Sequence, residues 1–297
     1  MRPRLLIFAV VGFGALGLAL AVRGQSIDFA VSAIGALLQL AGPPVAASSA
    51  TLSEHEMEEI NAMQPQDQVK RLLERTLNHY KGAAEEISKR VEGWTGQIQS
   101  TPELESMTNT AYFSSDLRVR AATLEIWLAE YGIHKNSETV DALIRDAALN
   151  DDRRYFRLSN LGILGNRGIE REKVFKTLTL YIRDADPNTR SGAINGLALL
   201  GTEETIAPLL DRFHNDDSHD LRERAACNLA DSGMLSRDLR QKAVPELIRF
   251  SQDQDLDAQT RKWVYQALRE ITQQNVGDDP ASWRNWYAAQ SNLRERQ

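Results

Sequence analysis

An all-α solenoid of about five two-helix repeats is the fold class that this sequence predicts, and three observations predict it. The first is a recurring pair, Asp or Asn followed four residues later by Arg, at the mouth of an apolar helical run. The pairs are Asp116/Arg120, Asn150/Arg154, Asp186/Arg190, Asp220/Arg224 and Asp257/Arg261, with starts 34, 36, 34 and 37 residues apart. The second is the apolar register behind each pair. Eight residues on stand Leu124, Leu158, Ile194, Asn228 and Tyr265, and eleven residues on stand Trp127, Leu161, Leu197, Asp231 and Leu268. Positions 8 and 11 lie on one helix face, so the first, second, third and fifth repeats each bury a stripe. The fourth is the weakest, with Asn228 and Asp231 at core positions. The third observation is punctuation. Gly132, Gly165, Gly201 and Gly233 read as ends of first helices. No alternating strand pattern of useful length interrupts them.

Taken in order, the chain divides into residues 1–42 (targeting segment and apolar stretch), 43–53 (linker), 54–113 (N-terminal helical cap), 114–274 (repeats) and 275–297 (C-terminal aromatic cap helix). Arg2 and Arg4 precede an 18-residue apolar run, Leu5 to Val22, which reads as a basic n-region and a long hydrophobic segment. Ala19-Leu20-Ala21 offers a small-x-small cleavage site, so signal and anchor both stand as readings. Charge bias favours an uncleaved anchor, with the N-terminus in the cytoplasm and the repeats outside. The alternative is a cleaved signal and a secreted chain. A second apolar stretch, Ile27 to Gly42, ends at Pro43-Pro44; if it also spans, the repeats stay cytoplasmic. Pro43 to Ser53 is a small-residue linker.

Residues Gln66 to Ile98 carry one long helical stripe (Val69, Leu72, Leu73, Thr76, Tyr80, Ala83, Ile87, Val91, Trp94, Ile98) outside the repeat register. The spacing predicts a capping helix over the first repeat, or a coiled coil with a partner. Thr101-Pro102-Glu103-Leu104-Glu105 predicts a fresh helix start, with an N-cap, proline at N1 and acidic first-turn residues. Second helices are predicted at Ser137–Leu149, Ile169–Arg183, Glu203–His214 and Leu239–Gln252. Asp184-Ala185-Asp186-Pro187 and Asn215-Asp216-Asp217-Ser218 are the turns between repeats. After Gly277-Asp278-Asp279, Trp283, Trp286 and Tyr287 fall at i, i+3 and i+4 and form an aromatic face that covers the open end of the array.

Asp186-Pro187-Asn188-Thr189-Arg190 followed by Ala193, Leu197 and Gly201 resembles the bacterial HEAT-like repeat of the type found in phycobilisome-lyase-related proteins. The resemblance spans Asp116 to Ile271, and the Trp283/Trp286/Tyr287 tail resembles the end of many such proteins. It implies that the repeated Asp and Arg form a structural ladder, each Arg reaching the Asp of its own or a neighbouring repeat. The physics is compatible, since Asp suits a helix start and an i,i+4 partner adds a few tenths of a kcal/mol. The family spans scaffolds, lyase-like proteins and nucleic-acid binders, so the resemblance alone leaves activity open.

Composition narrows the choice. The 297-residue chain is 42% hydrophobic and 26% charged, with net charge −6 and one cysteine, which excludes an intramolecular disulfide framework. Residues 48–297 hold 32 basic and 40 acidic side chains, a net of −8, which argues against a phosphate-backbone ligand. No phosphate loop, GxSxG elbow or HExxH helix is present, and neither a cofactor nor a small-molecule substrate is indicated. His214-Asn215-Asp216-Asp217-Ser218-His219-Asp220 is dense enough to suggest a divalent metal, but the spacing fits no metal pattern and reads as a solvated turn. The single His55-Glu56 pair is too few for the HEAT-like iron hydroxylases. Cys227 reads as a small buried side chain. The expectation is a non-enzymatic scaffold of the bacterial envelope, binding another protein. The alternatives are a lyase-like enzyme or maturation factor, and a cytoplasmic nucleic-acid binder. The best local charge cluster is Arg153, Arg154 and Arg157, joined by Arg118, Arg167 and Arg171 along one surface for an acidic partner.

Overall fold

The computed structural model describes residues 50–149 and 151–294. The apolar N-terminal segment, most of the linker and Asn150 lie outside them. Among the described residues, regular structure is helical apart from an isolated bridge between Thr51 and Lys81. The chain forms two compact units, one ending at Gly132 and the other beginning at Ile133.

In the first unit, α1 (Glu54–Ala62), α2 (Pro65–Leu77), α3 (Ala83–Trp94), α4 (Pro102–Tyr112) and α5 (Leu117–Glu130) follow one another. The single helix expected over Gln66–Ile98 is instead a hairpin. Asn78 closes α2, His79 takes a left-handed φ of 56°, and the Tyr80 N–H donates back to the Arg75 carbonyl at 2.9 Å. That six-to-one bond is the Schellman stop, here with histidine at the position glycine usually fills. The stripe reads as continuous because both arms bury the same kind of face. Val69, Leu72 and Leu73 from α2 share a core with Ile87, Val91 and Trp94 from α3, and with Leu104 and Ile126. The Trp94 indole N–H donates to the Gln68 side-chain oxygen at 3.1 Å, which ties the arms together. The stripe is thus spent on its own unit. Thr101 caps α4, its hydroxyl accepting from the Leu104 N–H at 3.2 Å, with Pro102 at N1.

The second unit runs α6 (Ser137–Ala147), α7 (Arg154–Asn166), α8 (Arg171–Tyr181), α9 (Pro187–Leu200), α10 (Ile206–Asn215), α11 (His219–Cys227), α12 (Arg237–Gln241), α13 (Val244–Ser251), α14 (Ala258–Thr272) and α15 (Pro280–Arg294). A 3₁₀ turn, Glu203–Thr205, leads into α10, and α11 continues into a π-helical turn, Asn228–Ser232. The first helices α7, α9, α11 and α14 pack neighbour against neighbour, and second helices pack alongside them. The helix expected over Leu239–Gln252 is broken into α12 and α13. Pro245 sits in the first turn of α13, where its missing N–H is harmless; inside a longer helix it would clash with the carbonyl of Gln241. Gly165, expected to end a helix, lies within α7 instead, packed on Leu200 and Val174. Gly168, at φ 90°, takes the left-handed position, and Ile169 closes the motif by donating to the Leu164 carbonyl at 3.1 Å.

The tightest joint lies between α7 and α9. A Cβ placed on Gly162 would stand 2.1 Å from the Gly196 carbonyl oxygen, and one on Gly196 would stand 2.5 Å from the Leu158 carbonyl oxygen. Only glycine lets the two backbones approach this closely. At the far end, Trp283 is fully buried and its indole N–H donates to the Gly277 carbonyl at 2.8 Å; Trp286 meets it edge to face at 5.7 Å, and Tyr287 is half-buried.

Gly162→Ala should therefore destabilise the second unit by ~1–3 kcal/mol or more. Gly93→Ala, in an exposed stretch of α3 where an added methyl meets nothing, should stabilise by ~0.5–1 kcal/mol. Denaturant midpoints of the two variants moving in the same direction would refute the close-approach account.

Candidate functional site

The ladder residues do their work on backbone. Each first helix starts where the preceding helix or turn leaves carbonyls without partners, and an arginine one turn in reaches back to them. Arg120 donates to the Ser114 carbonyl at 2.7 Å. Arg154 donates to Ala147 and Leu149 at 2.9 and 3.2 Å, and Arg190 to Asp184 and Ala185 at 2.9 and 3.1 Å. Arg222 reaches Asp216, and Arg261 reaches Asp253 and Leu256 at 2.8 and 2.9 Å. A cation at these carbonyls also complements the negative end of the helix dipole. The acidic members cap in the opposite sense. Asp186 accepts from the Thr189 N–H and hydroxyl at 2.9 and 2.7 Å, and Asp257 accepts from the same groups of Thr260 at 2.9 and 2.6 Å.

The fourth pair requires correction. Asp220 is exposed within α11, and the residue at the capping position is Ser218, with Arg222 four residues on. Moving the register back by two residues replaces Asn228 and Asp231 with Ala226 and Leu229, both buried. The apparent weakness of this repeat came from the misplaced start. Arg224, expected in the ladder, is a half-buried side chain of α11 instead; burial raises the Tyr155 phenol, and the nearby Arg224 charge only partly offsets that rise. The cross-repeat carboxylate is Asp216. It is 0% exposed and takes Arg190 bidentately at 2.9 and 2.9 Å, with Arg212 at 3.6 Å. Arg222 continues the series, reaching Asp257 at 3.0 Å, while Arg154 reaches the Thr189 hydroxyl at 3.3 Å.

Within the second unit, the arginines expected to bind a partner do not form one surface. Arg118 belongs to the first unit and clamps Asp116 at 3.2 and 2.9 Å, its bonds holding that carboxyl below the usual range. His79 stands 3.5 Å from the same carboxylate, and both residues line a hollow of about 20 Å³, room for one water. Arg154 is buried. Arg157 grips Asp151 at 2.6 and 3.0 Å. Arg153 is exposed at the head of α7, whereas Arg167 and Arg171 stand at its far end, where Arg171 donates to the Gly165 carbonyl at 3.3 Å. Thirteen residues of helix, about 20 Å, separate the two groups.

The metal-like turn also comes apart. The His214 ring lies 4.4 Å from Phe250, and its two nitrogens meet Asp253 at 2.8 Å and Asn215 at 2.6 Å. Asp216 belongs to Arg190, and His219 lies 3.9 Å from Asp257. Among the described residues no three His, Cys, Asp or Glu side chains converge on a metal position. Cys227 is half-buried, and burial pushes its thiol up to about 12, which removes the thiolate a nucleophile needs.

A different surface of the first unit exposes aromatic side chains. Phe113 and Tyr131 are 55% and 52% exposed. Phe113 meets Tyr112 edge to face at 5.4 Å, and Tyr112 meets Trp127 at 5.0 Å. Trp127, expected in the core, is only partly covered. Glu130 and Tyr131 follow it by three and four residues, on the same side of α5. Burial pushes the Glu130 carboxyl up to about 7, and the Glu105 charge adds to the rise. One Glu130 oxygen is buried without a hydrogen-bond partner. The sequence signal for this face was present in the i, i+3, i+4 spacing of Trp127, Glu130 and Tyr131, but the repeat register assigned Trp127 to the core.

Residues 140–230 match the family model of HEAT repeats, from α6 to the π-helical turn. No curated protein matches the chain. Among solved structures, the crystal structure of an engineered protein from the Northeast Structural Genomics Consortium is similar at 15% identity. It covers 69% of this chain and 96% of that one, and its TM-score of 0.34 is too low to support any argument about arrangement. The described chain is thus an all-α protein with HEAT-like repeats.

Asp216→Ala leaves the Arg190 guanidinium buried and without its carboxylate, and should cost about 3–5 kcal/mol. Asp220→Ala should change stability by less than about 0.5 kcal/mol. Equal losses in the two thermal melts would restore the original register. For Glu130 the folded pKa lies above the unfolded value, so the folded state holds the extra proton. Its contribution makes the first unit more stable as pH falls from 7 toward 5, and Glu130→Gln should flatten that slope and raise stability at pH 8. A slope unchanged by Glu130→Gln in denaturant titrations would reject this assignment.

Proposed function

We propose that the protein is a non-enzymatic protein-interaction scaffold of the bacterial cell envelope, held at the membrane by its N-terminal segment with the repeats outside the cytoplasm. The HEAT-repeat match supports the scaffold part, because such repeats generally serve protein binding through stacked helices. One observation carries the reading: the charged residues that recur in every repeat are turned onto backbone carbonyls and onto each other, as in Arg190 with Asp216. The repeat signature is thereby spent on architecture, which leaves recognition to the surface between the caps. Each unit exposes large apolar side chains of its own: Leu149 and Leu180, 55% and 73% exposed, in the second, and Phe113 and Tyr131 in the first. The excess of acidic residues beyond residue 47 favours a protein over a nucleic acid.

The envelope placement rests on Arg2, Arg4 and the Leu5–Val22 run. Among the described residues no helix is long and apolar enough to cross a membrane. Proximity cross-linking of the full chain in its own cells, with a compartment reporter fused to the C-terminus, tests both parts. The expected result is an active extracytoplasmic reporter and one reproducible protein partner. A cytoplasmic reporter overturns the topology. A purified chain carrying an absorbing chromophore, with no partner captured, overturns the scaffold in favour of a lyase-like role.

A further inference from the structure

The face built by α4 and α5 has a composition that selects its ligand. Phe113, Tyr112 and Trp127 form a continuous run of rings, with centroids 5.4 and 5.0 Å apart, and Phe113 and Tyr131 are more than half exposed. Glu130 follows Trp127 by three residues and directly precedes Tyr131; burial raises both the Glu130 carboxyl and the Tyr131 phenol, and the Glu105 charge adds to each rise. Arg120 lies 6.0 Å from the Tyr112 centroid and is 2% exposed. The surroundings have the same sign: residues 50–132 hold 14 acidic and 8 basic side chains, so the first unit carries most of the negative charge beyond residue 47. Ring faces attract cations through their quadrupoles, and neighbouring carboxylates add a charge partner. A cation at this face also relieves the repulsion between Glu105 and Glu130.

We propose that the α4–α5 face docks a basic segment, one presenting lysine or arginine side chains, of the partner protein. The inference rests on the scaffold reading and deepens it by giving the partner's chemistry and the surface it meets. Tyr131 and Phe113 receive the aliphatic stems and cationic heads, and Glu105 and Glu130 pair with the charges. Leu180, on α8 of the second unit, is an exposed apolar residue outside this face and serves as a control.

The test uses the full chain and a fluorescein-labelled, end-capped peptide of alternating arginine and glycine, with a glutamate–glycine peptide as its counterpart. Anisotropy should show saturable binding of the basic probe alone. Phe113→Ser combined with Tyr131→Ser changes no charge and should weaken binding about five- to tenfold. Glu105→Gln combined with Glu130→Gln should weaken it by a similar factor. Glu58→Gln with Glu59→Gln removes the same charge from exposed positions on α1 and should leave binding within about twofold, as should Leu180→Ser. Melting curves of every variant confirm that the first unit is folded. No saturable binding, an unchanged affinity in the aromatic pair, or equal losses in the two glutamate pairs would each overturn the docking face. A partner captured in cells with cross-links beside Leu180 and none on α4–α5 would overturn it while leaving the scaffold standing; absence of any captured partner is the failure of the scaffold itself.

Discussion

Each first helix begins against a turn whose backbone carbonyls have lost their helical partners, and satisfying them is the constraint on which the rest of the structure depends. Water cannot reach such groups freely once helices stack, and an unpaired buried carbonyl costs roughly as much as a lost hydrogen bond. The solution recurs at Arg120, Arg154, Arg190, Arg222 and Arg261: a guanidinium one turn into the helix reaches back to the turn. Arginine suits this because its planar fork carries several donors in fixed directions. Arg190 shows the economy, bonding two carbonyls and both oxygens of Asp216 at once.

That shared arginine also links successive repeats. Arg154 reaches Thr189, Arg190 reaches Asp216 and Arg222 reaches Asp257, so the group that closes one turn holds the start or turn of the next repeat. Close glycine packing between α7 and α9 sets the spacing over which the first of these links can act. The buried pair specifies register, since a slip of one repeat position would leave Asp216 or Arg190 buried without its partner. The repeated charges are therefore poor candidates for ligand contact. The surface that remains chemically available is irregular, and the α4–α5 rings with Glu105 and Glu130 are its most distinctive part.

The two units show different routes to a helical hairpin. In the second, Gly168 and Gly201 take the left-handed positions at helix ends, as glycine does without strain. In the first, His79 takes that position, so the break between α2 and α3 leaves almost no mark in the sequence. The apolar period runs across it because Leu72 and Val91 both face the same core. A similar concealment affects α11, where Asp220 and Arg224 imitate the repeat pair two residues late. The buried Ala226 and Leu229 reveal the true start. Trp127 holds a core position by register, yet it is only partly buried where it meets Tyr112.

By itself the sequence determined the helical repeats, the caps at Thr101, Asp186 and Asp257, and the burial of Trp283 on the terminal helix. These depend on contacts within one or two turns of chain, where residue type and spacing decide the outcome. Only the tertiary structure decided that Arg190 pairs with Asp216, 26 residues on, and that Arg153 and Arg171 stand at opposite ends of α7. It alone also showed that the rings of α4 and α5 meet beside two carboxyls. Those partners are brought together by packing between helices, and the local spacing of charges carries no record of which helix will lie alongside.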